Sequence, residues 1–174
     1  SYYTPDTGAM VEAVCRPRAL APEYSEPVAQ WLKLLGGTEH EKLLDWLSFT
    51  SRLQDPCAAL YLHGVKGIGK SLFVHGVSRL WTTDGPSTLD YAIDKFNDIL
   101  TKCPLVLADE SMPDAFVRRG ATGPMREFIQ ARTRPLNLKG IAVATLHGAT
   151  RLVLAANNMD MIPNSENLTN ADIE

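Results

Sequence analysis

The chain has 174 residues, enough for one domain with a sizeable core, and its net charge of −3 excludes an overall basic field that would advertise a nucleic-acid partner. Composition is 45% hydrophobic and 21% charged, ordinary for a globular protein, and no run approaches the ~20 apolar residues of a membrane span. Cys15, Cys57 and Cys103 are odd in number and far apart, so they suggest no disulfide framework and no zinc spacing; a reducing compartment is the simpler expectation. The chain opens at Ser1 without a visible signal peptide or internal repeat and reads as a piece of a longer protein.

Residues 1–26 hold several prolines and little periodicity, and read as an irregular lead-in or linker. Val28, Trp31, Leu32 and Leu35 then recur at helical spacing until Gly36-Gly37. Thr38 with Glu41 has the pattern of a capping box for a second helix, whose apolar face is Leu43, Leu44, Trp46, Leu47 and Leu53. Trp31 and Trp46 read as core packing. The two helices, over 27–54, form a collar in front of a core spanning 55–174. In that core the pattern predicts a strand over 58–63, a helix over 70–81, a polar stretch from Thr82 to Ser87 and a helical segment over 88–101. The apolar run at 105–108, between Pro104 and two acids, suits a buried strand of a parallel sheet. A helix over 124–133 follows, and loose alternation over 135–149 around Gly140 and Gly148 reads as a hairpin. A last buried strand at 152–156 ends on Asn157-Asn158. Strands alternating with helices predict an α/β three-layer domain with a parallel sheet.

The loop between the first core strand and helix is the most specific signal. Gly64-Val65-Lys66-Gly67-Ile68-Gly69-Lys70-Ser71 is a complete G-x-x-x-x-G-K-[ST] phosphate loop in strand–loop–helix context. Successive backbone N–H groups from Gly64 to Leu72 are expected to wrap a β-phosphate, aided by the positive end of the helix. Lys70 can reach the β- and γ-phosphates and the Ser71 hydroxyl can ligate Mg²⁺, so ATP and Mg²⁺ are the expected ligands. Asp109-Glu110, directly after an apolar run, is the second signal. Asp109 is assigned to the metal and Glu110 to orienting and deprotonating the attacking water; the bland alternative is an acidic pair capping the next helix. Asn157 is the third signal. At the carboxyl end of a strand it can sense the γ-phosphate and position the water, or Asn158 does so while the other caps a turn.

Phosphate loop, Asp-Glu strand, hairpin and Asn-terminated strand come in an order that resembles superfamily 3 helicases, AAA+-type ATPases of viruses, phages and plasmids. The resemblance is greatest to the phage and poxvirus primase-helicase branch. It covers about residues 27–174 and rests also on the phrases WLKLLGG, LLDWL, FNDIL, PLVLADE and RLVLAANN. The resemblance implies that Lys70 is the Walker A lysine (with Lys66 in the same loop), that Asp109 and Glu110 form Walker B, and that Asn157 is the motif C sensor. It further implies a hexameric ring translocating on single-stranded DNA, with residues 135–141 forming a hairpin whose tip enters the channel. Lys139 matches the tip lysine, and Gly140 stands where several members carry His, which leaves DNA contact to Lys139 and its backbone neighbours; otherwise Lys139-Gly140 is a solvated turn. The trans arginine finger has no clear match and is expected beyond Glu174, together with the last core strand; Arg118-Arg119 fit it poorly. A fused or associated primase-polymerase and a bacterial host cytoplasm follow from the resemblance alone.

Arg126, Arg132 and Arg134 are candidates for channel or intersubunit contacts, against a solvated helix face. His40, His63, His75 and His147 show no metal spacing. The functional expectation is an ATP-hydrolysing DNA helicase motor in phage or mobile-element replication. The rival is a non-motor ATP-binding assembly or loading module, which would not need Glu110; a small-molecule kinase is weaker, since no arginine-rich lid stands out.

Overall fold

The computed structural model describes residues 2–4, 9–11, 17–137, 143–157 and 161. In the lead-in, β1 (Tyr2–Thr4) and β2 (Ala9–Val11) pair antiparallel, where the sequence pattern offered no regular structure. Helix α1 (Glu26–Gly36) starts with Pro27 in its first turn and stops at Gly37, whose φ of 54° no β-branched residue would tolerate and whose N–H bonds the Lys33 carbonyl. The expected capping box does not form. The chain runs from α1 straight into a 3₁₀ turn, Gly37–Glu39, so α2 (His40–Thr50) begins past Thr38, which lies inside the turn. Glu39, at the helix start, pairs instead with Lys42 at 3.0 Å.

Four parallel strands form the central sheet: β3 (Leu60–His63), β8 (Arg151–Ala156), β5 (Leu105–Asp109) and β4 (Ser87–Thr88), in that spatial order. All six residues of β8 are buried, because it lies between β3 and β5 with both faces covered. Alternation along the strands divides the core in two. Leu60, Leu62, Leu105, Leu107, Val153 and Ala155 face α2 and α3 (Lys70–Ser78), meeting Leu43, Trp46, Phe73, Val74 and Val77. Val106, Ala108, Leu152, Leu154 and Ala156 face the other side, where α4 (Leu89–Ile93), α5 (Asp114–Val117) and α6 (Thr122–Gln130) cover them with Leu89, Phe116, Met125, Phe128 and Ile129. This is the three-layer α/β arrangement that the alternating pattern predicted.

The helical segment expected over 88–101 is broken. Ser87–Thr88 pair with Val106 and Leu107 as a short strand, α4 ends at Ile93, and a 3₁₀ turn covers Asp98–Thr101. Asx side chains divert the backbone: Asp94 accepts the Lys95 N–H, and Asn97 donates to the Pro135 carbonyl while accepting from the Asn137 N–H. The helix read as 70–81 ends at Ser78 and continues as i→i+3 turns at Leu80 and Trp81. The hairpin is present: β6 (Thr133–Leu136) and β7 (Ala144–His147) pair antiparallel from Thr133↔His147 to Leu136↔Ala144. Its tip, with Lys139 and Gly140, lies outside the described residues, as does Asn158. No helix among the described residues is long and apolar enough to cross a membrane.

Candidate active site

Parallel strands all end on the same side of a sheet, so β3, β5 and β8 deliver their C-terminal residues to one rim. β3 runs into the loop at 64–69, β5 ends on Asp109-Glu110, and β8 ends on Asn157. The Gly64 N–H bonds the Ala156 carbonyl at 3.1 Å and the Glu110 N–H bonds the Ala155 carbonyl at 2.7 Å, which ties the loop and the acidic pair to the central strand.

The loop turns back into α3 through Gly69, whose φ of 102° is open to glycine and strained for any other residue. A Cβ at Gly64 would collide with the end of the Ile68 side chain, so the isoleucine packs directly over the bare Gly64 Cα. Positive φ at Gly67 and Gly69 directly before α3 puts flexible backbone at a helix N-terminus, where unpaired N–H groups and the positive end of the dipole suit an anion.

Lys70, the first residue of α3, is 7% exposed. Its ammonium donates to the Gly64 carbonyl at 2.5 Å, the Val65 carbonyl at 3.2 Å and Asn157 Oδ1 at 2.9 Å, so its three donors meet three acceptors. Asn157 Nδ2 in turn donates to Glu110 Oε1. The sense of the amide is dictated by its neighbours, since an ammonium only donates and a carboxylate only accepts. Lys70, Asn157 and Glu110 thus form one hydrogen-bonded chain across 87 residues of sequence. Glu110 reaches it with a left-handed backbone, φ 61°, which costs a non-glycine residue about 1 kcal/mol or more.

Ser71 and Asp109 stand exposed on the same rim, Ser71 in the first turn of α3 and Asp109 at the last pair of the β5–β8 ladder. A hydroxyl and a carboxylate are hard oxygen donors, and Mg²⁺ takes one or two such ligands while completing its octahedron with water and phosphate oxygens. The donor set therefore fits that ion. Among the described residues no group of three or more His, Cys, Asp or Glu gathers around a common point. A cavity of about 380 Å³ runs beside Lys70, walled by Leu35 and Leu43 of the collar, Leu62 and His63 of β3, and Ile68 of the loop.

Arg132 and Arg134, left between channel or intersubunit contacts and a solvated face, make contacts within the chain. Arg132 pairs with Asp55 at 3.2 Å and donates to the Gln54 carbonyl. Arg134 donates to the Phe128 carbonyl and to Thr150 Oγ1 and lies 4.4 Å over the Phe128 ring; burial pulls its pKa down to about 10. Arg119 pairs with Glu127 at 3.5 Å, on α6 and not at the rim. Arg151, which the sequence analysis passed over, is fully buried and satisfies backbone carbonyls at the end of α2. An arginine opening a wholly apolar strand was the one signal that it had such a role. Trp31, read as core, also touches the loop: a Cβ at Gly69 would lie 3.1 Å from its Nε1.

No family model matches the chain, and no curated protein does. Solved structures do. The apo structure of the NrS-1 C-terminal region (305–718) is 18% identical over 92% of this chain, with a TM-score of 0.64. Two A-form apo structures of the same region give TM-scores of 0.62 and 0.60, at 18% identity over 91% and 86% of this chain. At that identity the likeness is one of fold, and the chain spans only 38% of the length of the first of them.

Proposed function

We propose that this chain is the ATP-hydrolysing motor of a superfamily 3 DNA helicase acting in phage or mobile-element DNA replication. The observation that carries the reading is the chain Lys70–Asn157–Glu110 on the sheet rim, beside a glycine-lined loop. A cation for phosphate, an amide reporter and a carboxylate base are the parts that phosphoryl transfer to water requires. Loop amides and Lys70 would hold the β- and γ-phosphates, and the cavity by Leu35, Leu43 and Ile68 has room for the nucleoside. Ser71 and Asp109 would hold Mg²⁺, which when bound neutralises charge on the β- and γ-oxygens. Lys70 exchanges Asn157 for phosphate oxygens as ATP enters, and the freed amide then spans the γ-phosphate and the attacking water. Glu110 takes a proton from that water as its oxygen bonds Pγ. The bond from Pγ to the bridging oxygen breaks, and ADP leaves with the electron pair. Lys139, at the hairpin tip, would follow the phosphate backbone of single-stranded DNA in a hexameric ring, without reading sequence.

The test is ATP turnover with and without single-stranded DNA, on this chain and on a version extended past Glu174. Lys70→Ala is expected to abolish nucleotide binding or turnover, and Glu110→Gln to trap ATP. Lys139→Ala in the extended version is expected to spare nucleotide binding and remove DNA stimulation. A Glu110→Gln variant that behaves like the parent would move the reading to a non-motor ATP-binding module. Unwinding that survives Lys139→Ala would remove the hairpin assignment.

A further inference from the structure

The rim is not the whole support of the loop. Helix α1 lies in the collar, well before the phosphate loop in sequence, yet its Trp31 meets the loop at the turn into α3. A Cβ built on Gly69 would lie 3.1 Å from Trp31 Nε1 and 3.2 Å from its Cζ2, so the indole edge stands against the bare glycine Cα. The same ring packs on Phe73, centroids 6.4 Å apart and tilted by 47°. Phe73 is in the first turn of α3, where its N–H bonds the Gly69 carbonyl at 2.9 Å. Trp46 of α2 flanks Phe73 from another side, also at 6.4 Å, and is itself 3% exposed with its N–H on the Ala58 carbonyl. Gly69 and the first turn of α3 are therefore clamped by collar residues. Gly69 precedes Lys70, and a left-handed residue at that place sets the direction in which the loop amides and the lysine point.

We infer that Trp31 is a positioning residue of the nucleotide site, holding Gly69 and the start of α3 in the conformation that presents the loop. The inference rests on the nucleotide reading for its consequence, but its geometry does not. A residue behind a binding shell, locked by packing, governs how closely that shell is held. In consequence the collar helix is part of the site, and occupancy of the loop is felt at Trp31.

Amide hydrogen exchange across residues 64–72 and Mg²⁺–ADP affinity test this in the full chain, with Trp31→Ala set beside Leu32→Ala. Leu32 is half-buried on the same helix and packs on the same core cluster, so it controls for lost packing. Trp31→Ala is expected to speed exchange in the loop and to weaken ADP binding about tenfold, the scale on which groups behind a ligand set act. Leu32→Ala is expected to leave both within about twofold. Should Trp31→Ala not fold, Trp31→Phe takes its place under the same criteria. Equal effects of the Trp31 and Leu32 variants, or an unchanged loop in the Trp31 variant, would overturn the inference. If the parent chain binds no ADP while the Trp31 variant still loosens the loop, the positioning role stands and the nucleotide reading falls.

Discussion

Arg151→Met tests the largest buried polar commitment among the described residues. Arg151 is 0% exposed, and its guanidinium donates to four carbonyls: Thr50 through Nε at 3.2 Å, Asp55 through Nη1 at 3.1 Å, and Phe49 and Arg52 through Nη2 at 3.1 and 2.6 Å. Phe49 and Thr50 end α2; the Phe49 and Arg52 carbonyls also accept backbone N–H groups from Arg52 and Asp55, so the guanidinium is their second partner, and a cation there meets the negative end of the helix dipole. Methionine matches the length but donates nothing. The Thr50 carbonyl bond is buried and would lose about 1–3 kcal/mol, while the three part-buried bonds would lose about 0.5–1.5 kcal/mol each before water repairs some of them. Against this, methionine removes the cost of burying a charge, which is real here because burial lowers the Arg151 pKa. The balance is a loss of about 2–4 kcal/mol, a large share of the roughly 5–15 kcal/mol that holds such a domain. For a chain of this size that is a fall in melting temperature of about 5–15 °C. Urea unfolding followed by far-UV circular dichroism gives the difference directly, provided the slope with denaturant is unchanged. Arg151→Lys is expected to fall between, since one ammonium cannot span four carbonyls. A loss below about 1 kcal/mol for Arg151→Met would refute the reasoning, because the carbonyls would then be satisfied without the guanidinium.

Arg134→Met is the contrasting case: Arg134 makes two hydrogen bonds, its Nε has no partner, and burial depresses its pKa, so the same measurement should show a change within about 1 kcal/mol. Glu110→Gly relieves the left-handed strain and should leave stability equal or higher by up to about 1 kcal/mol while removing ATP turnover. Destabilisation by more than about 1 kcal/mol would mean that the carboxylate matters more to the fold than to the site. Asn157→Ala frees the third donor of Lys70, so calorimetry should show ADP affinity unchanged or tighter while turnover falls about 10²–10³-fold. A parallel loss of both would mean that Asn157 serves binding itself.

Local features of this chain were legible without coordinates. The glycine-rich motif at 64–71 lies between a strand and a helix, as its flanking apolar runs indicated, and the apolar runs at 105–108 and 152–156 are buried strands in the structure. The three-layer class followed from their alternation with helices. Elements that depend on remote partners were not legible. Ser87–Thr88 is a strand only because Val106 and Leu107 lie beside it, and the helix expected over 88–101 breaks where Asn97 reaches the hairpin. The candidate site divides in the same way. Lys70, Glu110 and Asn157 were each marked by their place at a strand end or loop, but their joining into one hydrogen-bonded chain was not. Nor was the turn of Trp31 onto Gly69, or the capture of the α2 terminus by Arg151. Spacing along the chain encodes which residues share a face and where a turn falls, because those depend on backbone geometry within a few residues. Which strand ends meet, and which side chain satisfies which distant carbonyl, is decided only when packing of the two faces sets the order β3-β8-β5-β4 and brings residues about a hundred positions apart into contact.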